Sequence, residues 1–299
     1  MTGQRVTSFS LAIAMVLCAA CTVTEMDYTK TIGSSSGSEK SAKRHDKKRD
    51  KQEEAAENYV QLGLGYLRRG DRQRSRANLM KALERDETSA SAHNGLALIF
   101  QLEDENALAE EHFKKAINFE PELTRVRSNY GVFLFRQQRY EDAEQQFLIA
   151  AEDINYPRRA NVLFNIGQIA KQLKKPDEAQ EAWEKAIKLN PDLSGPFLEL
   201  ADVYFKSGDY PKAKRYLERY ETLSKPSPRA LWLAVRLEHV FGNKNGVASK
   251  ALALRNMFPY SKETLEYKEW LIAQKKDIGS LSTDAGDTLE YKKDVSKIP

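Results

Sequence analysis

The chain has 299 residues, 41% of them hydrophobic and 30% charged, with a mean hydropathy of −0.63. Such a composition excludes a protein that crosses a membrane many times, and two cysteines exclude a disulfide scaffold and a four-cysteine zinc site. The net charge of +4 is concentrated in residues 40–51 (KSAKRHDKKRDK), where seven Lys/Arg face only Asp46 and Asp50; residues 52–274 are balanced, so the bulk charge of the body implies no nucleic-acid partner.

Residues 1–20 read as an address. Arg5 precedes an apolar run from Phe9 to Ala20, about 12 residues, too short to span a bilayer and right for a signal-peptide core. The run ends Ala19-Ala20-Cys21, and this resembles a bacterial lipoprotein signal, with small residues before the cut and a thiol to carry diacylglycerol. The resemblance implies a covalent lipid on Cys21 and no other cofactor. Cys18 is unsuitable because bulky Leu17 would precede the cut, and Thr22 in place of Asp implies sorting to the outer membrane. Residues 21–55, rich in Ser, Gly and Lys, read as a flexible polar and basic linker.

From residue 56 to 260 one pattern recurs. Gly63, Ala97 and Gly131 are 34 apart; Gly167 follows after 36, with two extra residues absorbed near Asn155–Pro157, and Ala201 after 34 more. Small residues recur again at Ala82, Ala116, Ala150 and Ala186, and Pro121, Pro191 and Pro259 stop helices because Pro lacks the amide hydrogen. This period and content resemble the tetratricopeptide repeat, and six copies fit. An all-α, right-handed superhelical solenoid with a concave groove is implied. Residues 261–274 read as a capping helix, with Ser261 and Thr264 both placed to cap it, and 275–299 as a disordered tail.

No catalytic constellation is present: there is no P-loop, no G-x-S-x-G and no metal-ligand spacing, so the chain is read as a non-enzyme. His93 and His112, in adjoining helices of the second repeat, are expected on a solvated surface. In the repeat family the first helix of each repeat lines the concave wall. That implies a largely apolar partner-binding groove built from Leu64, Leu67, Leu98, Leu102, Val132, Phe135, Phe164, Leu198 and Phe205. Asn94, Ser128, Gln168, Lys171 and Asp202 add polar spots. Such a groove suits an amphipathic or extended segment of another protein.

The signal, the repeat body and the phrase NYGVFLFRQQRYEDAEQQFLIAAED (129–153) together resemble the type IV pilus pilotins. The resemblance implies a protein, monomeric when free, on the periplasmic face of the outer membrane. It would bind the secretin subunit and promote its localisation and multimerisation. The alternative reading is a lipidated periplasmic scaffold for peptidoglycan enzymes.

Overall fold

The computed structural model describes the backbone of residues 35–281 and the side chains of 49–274; the signal segment, Cys21 and residues 282–299 lie outside the described residues. Thirteen helices and no strand are found among the described residues. They are α1 (Ser35–Arg68), α2 (Arg72–Arg85), α3 (Ala90–Leu102), α4 (Asn106–Phe119), α5 (Thr124–Arg136) and α6 (Tyr140–Glu152). There follow α7 (Arg159–Gln172), α8 (Pro176–Leu189), α9 (Ser194–Lys206), α10 (Tyr210–Leu223), α11 (Pro228–Val240), α12 (Lys244–Met257) and α13 (Lys262–Leu281). Consecutive helices from α2 onward pack on one another, and first helices also touch the next repeat's first helix (α3 on α5, α5 on α7, α9 on α11), which is the connectivity of a solenoid.

One register explains the pairing. Sixteen residues after each recurring small residue stands a large one: Gly63 and Leu79, Ala97 and Phe113, Gly131 and Phe147, Gly167 and Trp183, Ala201 and Leu217. A Cβ on Gly131 would fall 2.8 Å from the Phe147 ring, and one on Gly63 2.7 Å from Leu79, distances that real Cβ atoms do not show. The small residue is therefore the socket in the first helix into which the second helix inserts its plug. The sixth repeat reverses the order of sizes, with Val235 in the first helix and Ala251 in the second, both buried in one cluster with Trp232 and Tyr267.

The turns share a second register. Gly70, Asp104, Gln138, Lys174, Gly208 and Gly242 all have positive φ, between 59° and 84°, the left-handed region where a side chain is costly. There the following residue closes the preceding helix, as where the Asp71, Glu105, Arg139, Lys175 and Asn243 amides donate to the carbonyl five residues back. Asp71 and Asp209 then cap the next helix with their carboxylates, accepting from the Arg74 and Lys212 amides.

Helices α4 and α8 end two residues before Pro121 and Pro191, and Ala116 and Ala186 are fully buried where the next repeat stacks. The two-residue insertion is a wide turn between α6 and α7, pinned where the Thr124 hydroxyl donates to Asp153 and Arg159 donates to the Ala151 carbonyl.

Two boundaries differ from the sequence reading. Residues 35–55 of the expected linker are helical as part of α1. The run after Gly37 holds no Gly or Pro until Gly63 and is rich in Lys, Arg and Glu, so it has helix propensity with few apolar residues to pack; among the described side chains, burial starts at Ala56. At the other end α13 runs on to Leu281, seven residues past the expected end of the capping helix and into the expected disordered tail. Ser261 is its cap, accepting from the Thr264 amide, whereas Thr264 is buried and donates its hydroxyl to the Phe258 carbonyl.

Candidate partner-binding groove

The 34-residue register lays the first-helix positions out in rows. One row reads Leu64, Leu98, Val132, then Gln168, Asp202, Arg236; the neighbouring row reads Leu67, Gln101, Phe135, Lys171, Phe205, His239. The first row is thus apolar over repeats 1–3 and polar over repeats 4–6, while the second interrupts the two halves with Gln101 and Phe205.

Leu64, Leu67, Leu98, Val132, Phe135, Phe164 and Phe205 are half-buried, each resting on a core cluster with part of its surface left open. Two expected groove residues sit elsewhere. Leu198 is 8% exposed and belongs to the core shared by repeats 4–6, packed inside the stack rather than on the open wall. Leu102 is exposed at the last position of α3, where its carbonyl accepts from Arg72 at the start of α2, so it lies at the edge formed by the turns. Between repeats 2 and 3 the wall carries a polar seam: the Asn129 amide donates to Asn94 at 3.0 Å, and Arg125 donates to its repeat-2 equivalent Ser91 at 3.0 Å.

Repeats 4–6 hold the densest charge network on these helices. Glu199, 5% exposed, accepts from Arg229 at 2.5 and 2.9 Å, from Lys171 at 2.8 Å and from Gln168 at 3.3 Å. Burial alone would raise its pKa, but the Arg229 hydrogen bonds and charge, with Lys171, outweigh it and hold the carboxyl at about 2. Asp202 is contacted by Lys206 at 2.8 Å, Arg229 at 3.5 Å and Arg236 at 3.9 Å. The Arg236 guanidinium lies over the Phe205 and Trp232 rings, 4.6 and 5.4 Å from their centroids. A cavity of about 370 Å³ opens beside this network, lined by Lys171, Lys174, Pro176, Trp183, Asp202 and Val203 among others.

Sequence reading placed Gln168, Lys171 and Asp202 here but not Glu199, Arg229 or Arg236. The available signal was the register itself, since Glu199 and Arg236 stand at first-helix places that repeats 2 and 3 fill with Gly95 and Asn129 and with Leu98 and Val132.

His93 and His112 also differ from expectation. They do not lie on an open surface: His93 is 6% exposed, His112 is half-buried, and the two Nδ1 atoms are 3.0 Å apart. Because a carbonyl only accepts, His93 Nε2 donates to Glu87 at 3.2 Å and its Nδ1 accepts from His112. Phe119 stacks on one ring and Phe100 tilts against the other. Burial lowers both pKa values, that of His112 to about 4 with further repulsion from His93. Among the described residues no group of three or more His, Cys, Asp or Glu is arranged to hold a metal ion.

The tetratricopeptide repeat family matches residues 60–123 and 160–193. The chain is 41% identical over 219 residues to the type IV pilus assembly protein PilF of Pseudomonas aeruginosa, covering 73% of this chain and 86% of that protein. This chain belongs to the PilF family. An uncharacterised protein of Haemophilus influenzae is 33% identical over 146 residues, 49% of this chain and 82% of its own length. The solved structure of Pseudomonas aeruginosa PilF superposes on this PilF-family chain with a TM-score of 0.71 at 40% identity, over 73% of this chain and 98% of that one. PilW, described as a widely conserved type IV pilus biogenesis factor, superposes at 0.62 with 25% identity, over 71% of this chain and 97% of its own.

Proposed function

We propose that this chain acts in type IV pilus biogenesis as a pilotin: an outer-membrane lipoprotein that binds the secretin subunit and promotes its localisation and multimerisation. The carrying observation is a PilF-family repeat array preceded by Ala19-Ala20-Cys21, which joins a protein-binding body to a site for lipid attachment. The apolar half of the wall, with Leu64, Leu98 and Val132 in line, is the docking surface for a secretin segment, since its open aliphatic surface suits the apolar face of an amphipathic or extended peptide. Lipid on Cys21 then holds the complex at the periplasmic face of the outer membrane. The chain works as a scaffold, not as a catalyst, and as a monomer when free.

The test is the secretin multimer, read without full denaturation, in a strain lacking the gene. Loss of the multimer with monomer accumulating in the inner membrane is the expected result; an unchanged multimer would refute the proposal and turn attention to peptidoglycan enzymes as partners. Complementation with Cys21→Ser should leave binding intact and mislocalise the secretin, whereas Leu98→Asp should abolish binding with the lipid attached.

A further inference from the structure

The charge run at residues 40–51 changes meaning once its backbone is helical, since α1 begins at Ser35. A turn of ~3.6 residues places Lys40, Lys43, Arg44, Lys47, Lys48 and Lys51 at positions i, i+3, i+4, i+7, i+8 and i+11, within about 140° of one face. Asp46 and Asp50, the acids of the run, fall outside that sector, as does Arg49. Glu39, Asp46, Asp50, Glu53 and Glu57 share a separate sector of about 60°. Residues 38–54 contain no apolar residue but Ala42, so this part of the helix has nothing to insert into a hydrocarbon layer. What it presents is a stripe of one sign.

We infer that residues 40–51 form a one-sided basic helix that lies on the surface of anionic phospholipid. Charge complementarity selects the ligand: clustered Lys and Arg on one helical face are attracted to acidic headgroups. The arrangement matters because a helix is about 10 Å across, close to a Debye length in physiological salt, so charges on the far face contribute little. Choosing a membrane over another polyanion rests on the lipidation reading of Cys21. The 14 residues from Cys21 to the start of the helix at Ser35 reach at most about 50 Å, so an anchored chain keeps the stripe near the bilayer at high effective concentration.

The test compares two full chains, both carrying Cys21→Ser and purified without acyl groups, by co-sedimentation with vesicles. One keeps the stripe. The other exchanges neighbours (Asp46→Lys with Lys47→Asp, and Asp50→Lys with Lys51→Asp), which preserves composition and net charge but puts two acids in the centre of the face. The first chain should bind vesicles of equal parts phosphatidylglycerol and phosphatidylcholine, release them in high salt and ignore pure phosphatidylcholine. The exchanged chain should bind at least ~10-fold more weakly, with unchanged helix content by circular dichroism. Equal binding by both would overturn the one-sided face in favour of charge count alone. No binding by either would overturn the inference, and so would single-stranded DNA binding the stripe more tightly than the vesicles do. Because neither protein is acylated, these outcomes are independent of lipid attachment at Cys21, which palmitate labelling in cells reads separately.

Discussion

Replacing Gly167 by Ala tests the socket-and-plug account at its tightest point. A Cβ there would meet the Trp183 indole at Nε1 first, with Cδ1 at 2.5 Å and Cε2 at 2.9 Å, against ordinary contacts of 3.4–4 Å. The ring, 1% exposed, must therefore retreat by about 1 Å, either against its packed neighbours or toward the cavity it lines. Helix propensity opposes this, since Ala is favoured over Gly by about 1 kcal/mol in a helix interior. Overpacking costs about 1–3 kcal/mol, and displacing a whole indole belongs at the upper end. The net expectation is a loss of about 1–2 kcal/mol, or roughly 3–6 °C in Tm for an array of this size. Gly65→Ala is the control: nothing lies within 4 Å of its Cβ, so propensity acts alone and Tm should rise by roughly 2–4 °C. Adding Trp183→Phe to Gly167→Ala recreates the Ala97 and Phe113 pair of the second repeat and should recover most of the loss. Thermal melts by circular dichroism on the four proteins decide it. If Gly167→Ala stabilises as much as Gly65→Ala, the pairing register is not what holds the repeats together.

Lys174→Gly, at a positive-φ turn, should gain about 1 kcal/mol because the left-handed penalty disappears, read as a shift in the urea midpoint. Glu199→Ala should cost about 2–4 kcal/mol by leaving Arg229 without its main partner in a half-buried site, and Glu199→Gln should cost less. The Glu199 carboxyl is held at about 2 in the fold against 4.5 ordinarily, so its contribution is complete above pH 4.5 and is lost as pH falls toward 2; Glu199→Gln should flatten stability in that window. For His93 and His112 the depressed folded values mean that the unfolded chain binds more protons. Stability is therefore full above pH 6.5 and declines as pH falls toward 4, a decline that His112→Gln should reduce, checked by urea midpoints across that range.

The array was readable because each repeat must solve the same packing problem, and Gly63, Ala97 and Gly131 mark the solution at a spacing of 34. The sixth repeat departs from that signal because Val235 and Ala251 exchange sizes across the contact, which leaves the volume filled but removes the small residue from the first helix. Leu198 shows where the reading of the site fails. Phe164 and Leu198 stand at the same place of consecutive repeats, yet one is half-buried and the other buried, so the place in the repeat does not by itself decide between core and groove. Glu199 was missed because its value lies in partners 28 and 30 residues away, Lys171 and Arg229, brought together only by stacking. The helical residues 35–55 were missed for a different reason: polarity forbids a buried core but does not forbid a helix.

The six positive-φ turns divide in a way that bears on how the chain tolerates change. Repeats 1, 5 and 6 use Gly70, Gly208 and Gly242, while repeats 2, 3 and 4 place Asp104, Gln138 and Lys174 in the same strained backbone. In a linear stack, a repeat flanked on both sides is held by two interfaces, and one near an end by fewer stabilising neighbours. The middle repeats thus absorb a local defect that would let an outer repeat peel away. Substitutions of equal intrinsic severity should then be graded by position, mildest between residues 90 and 190 and harshest toward either end. The apolar half of the wall begins at Leu64, at one of those ends, so its first repeat combines the least mechanical support with a surface proposed for docking.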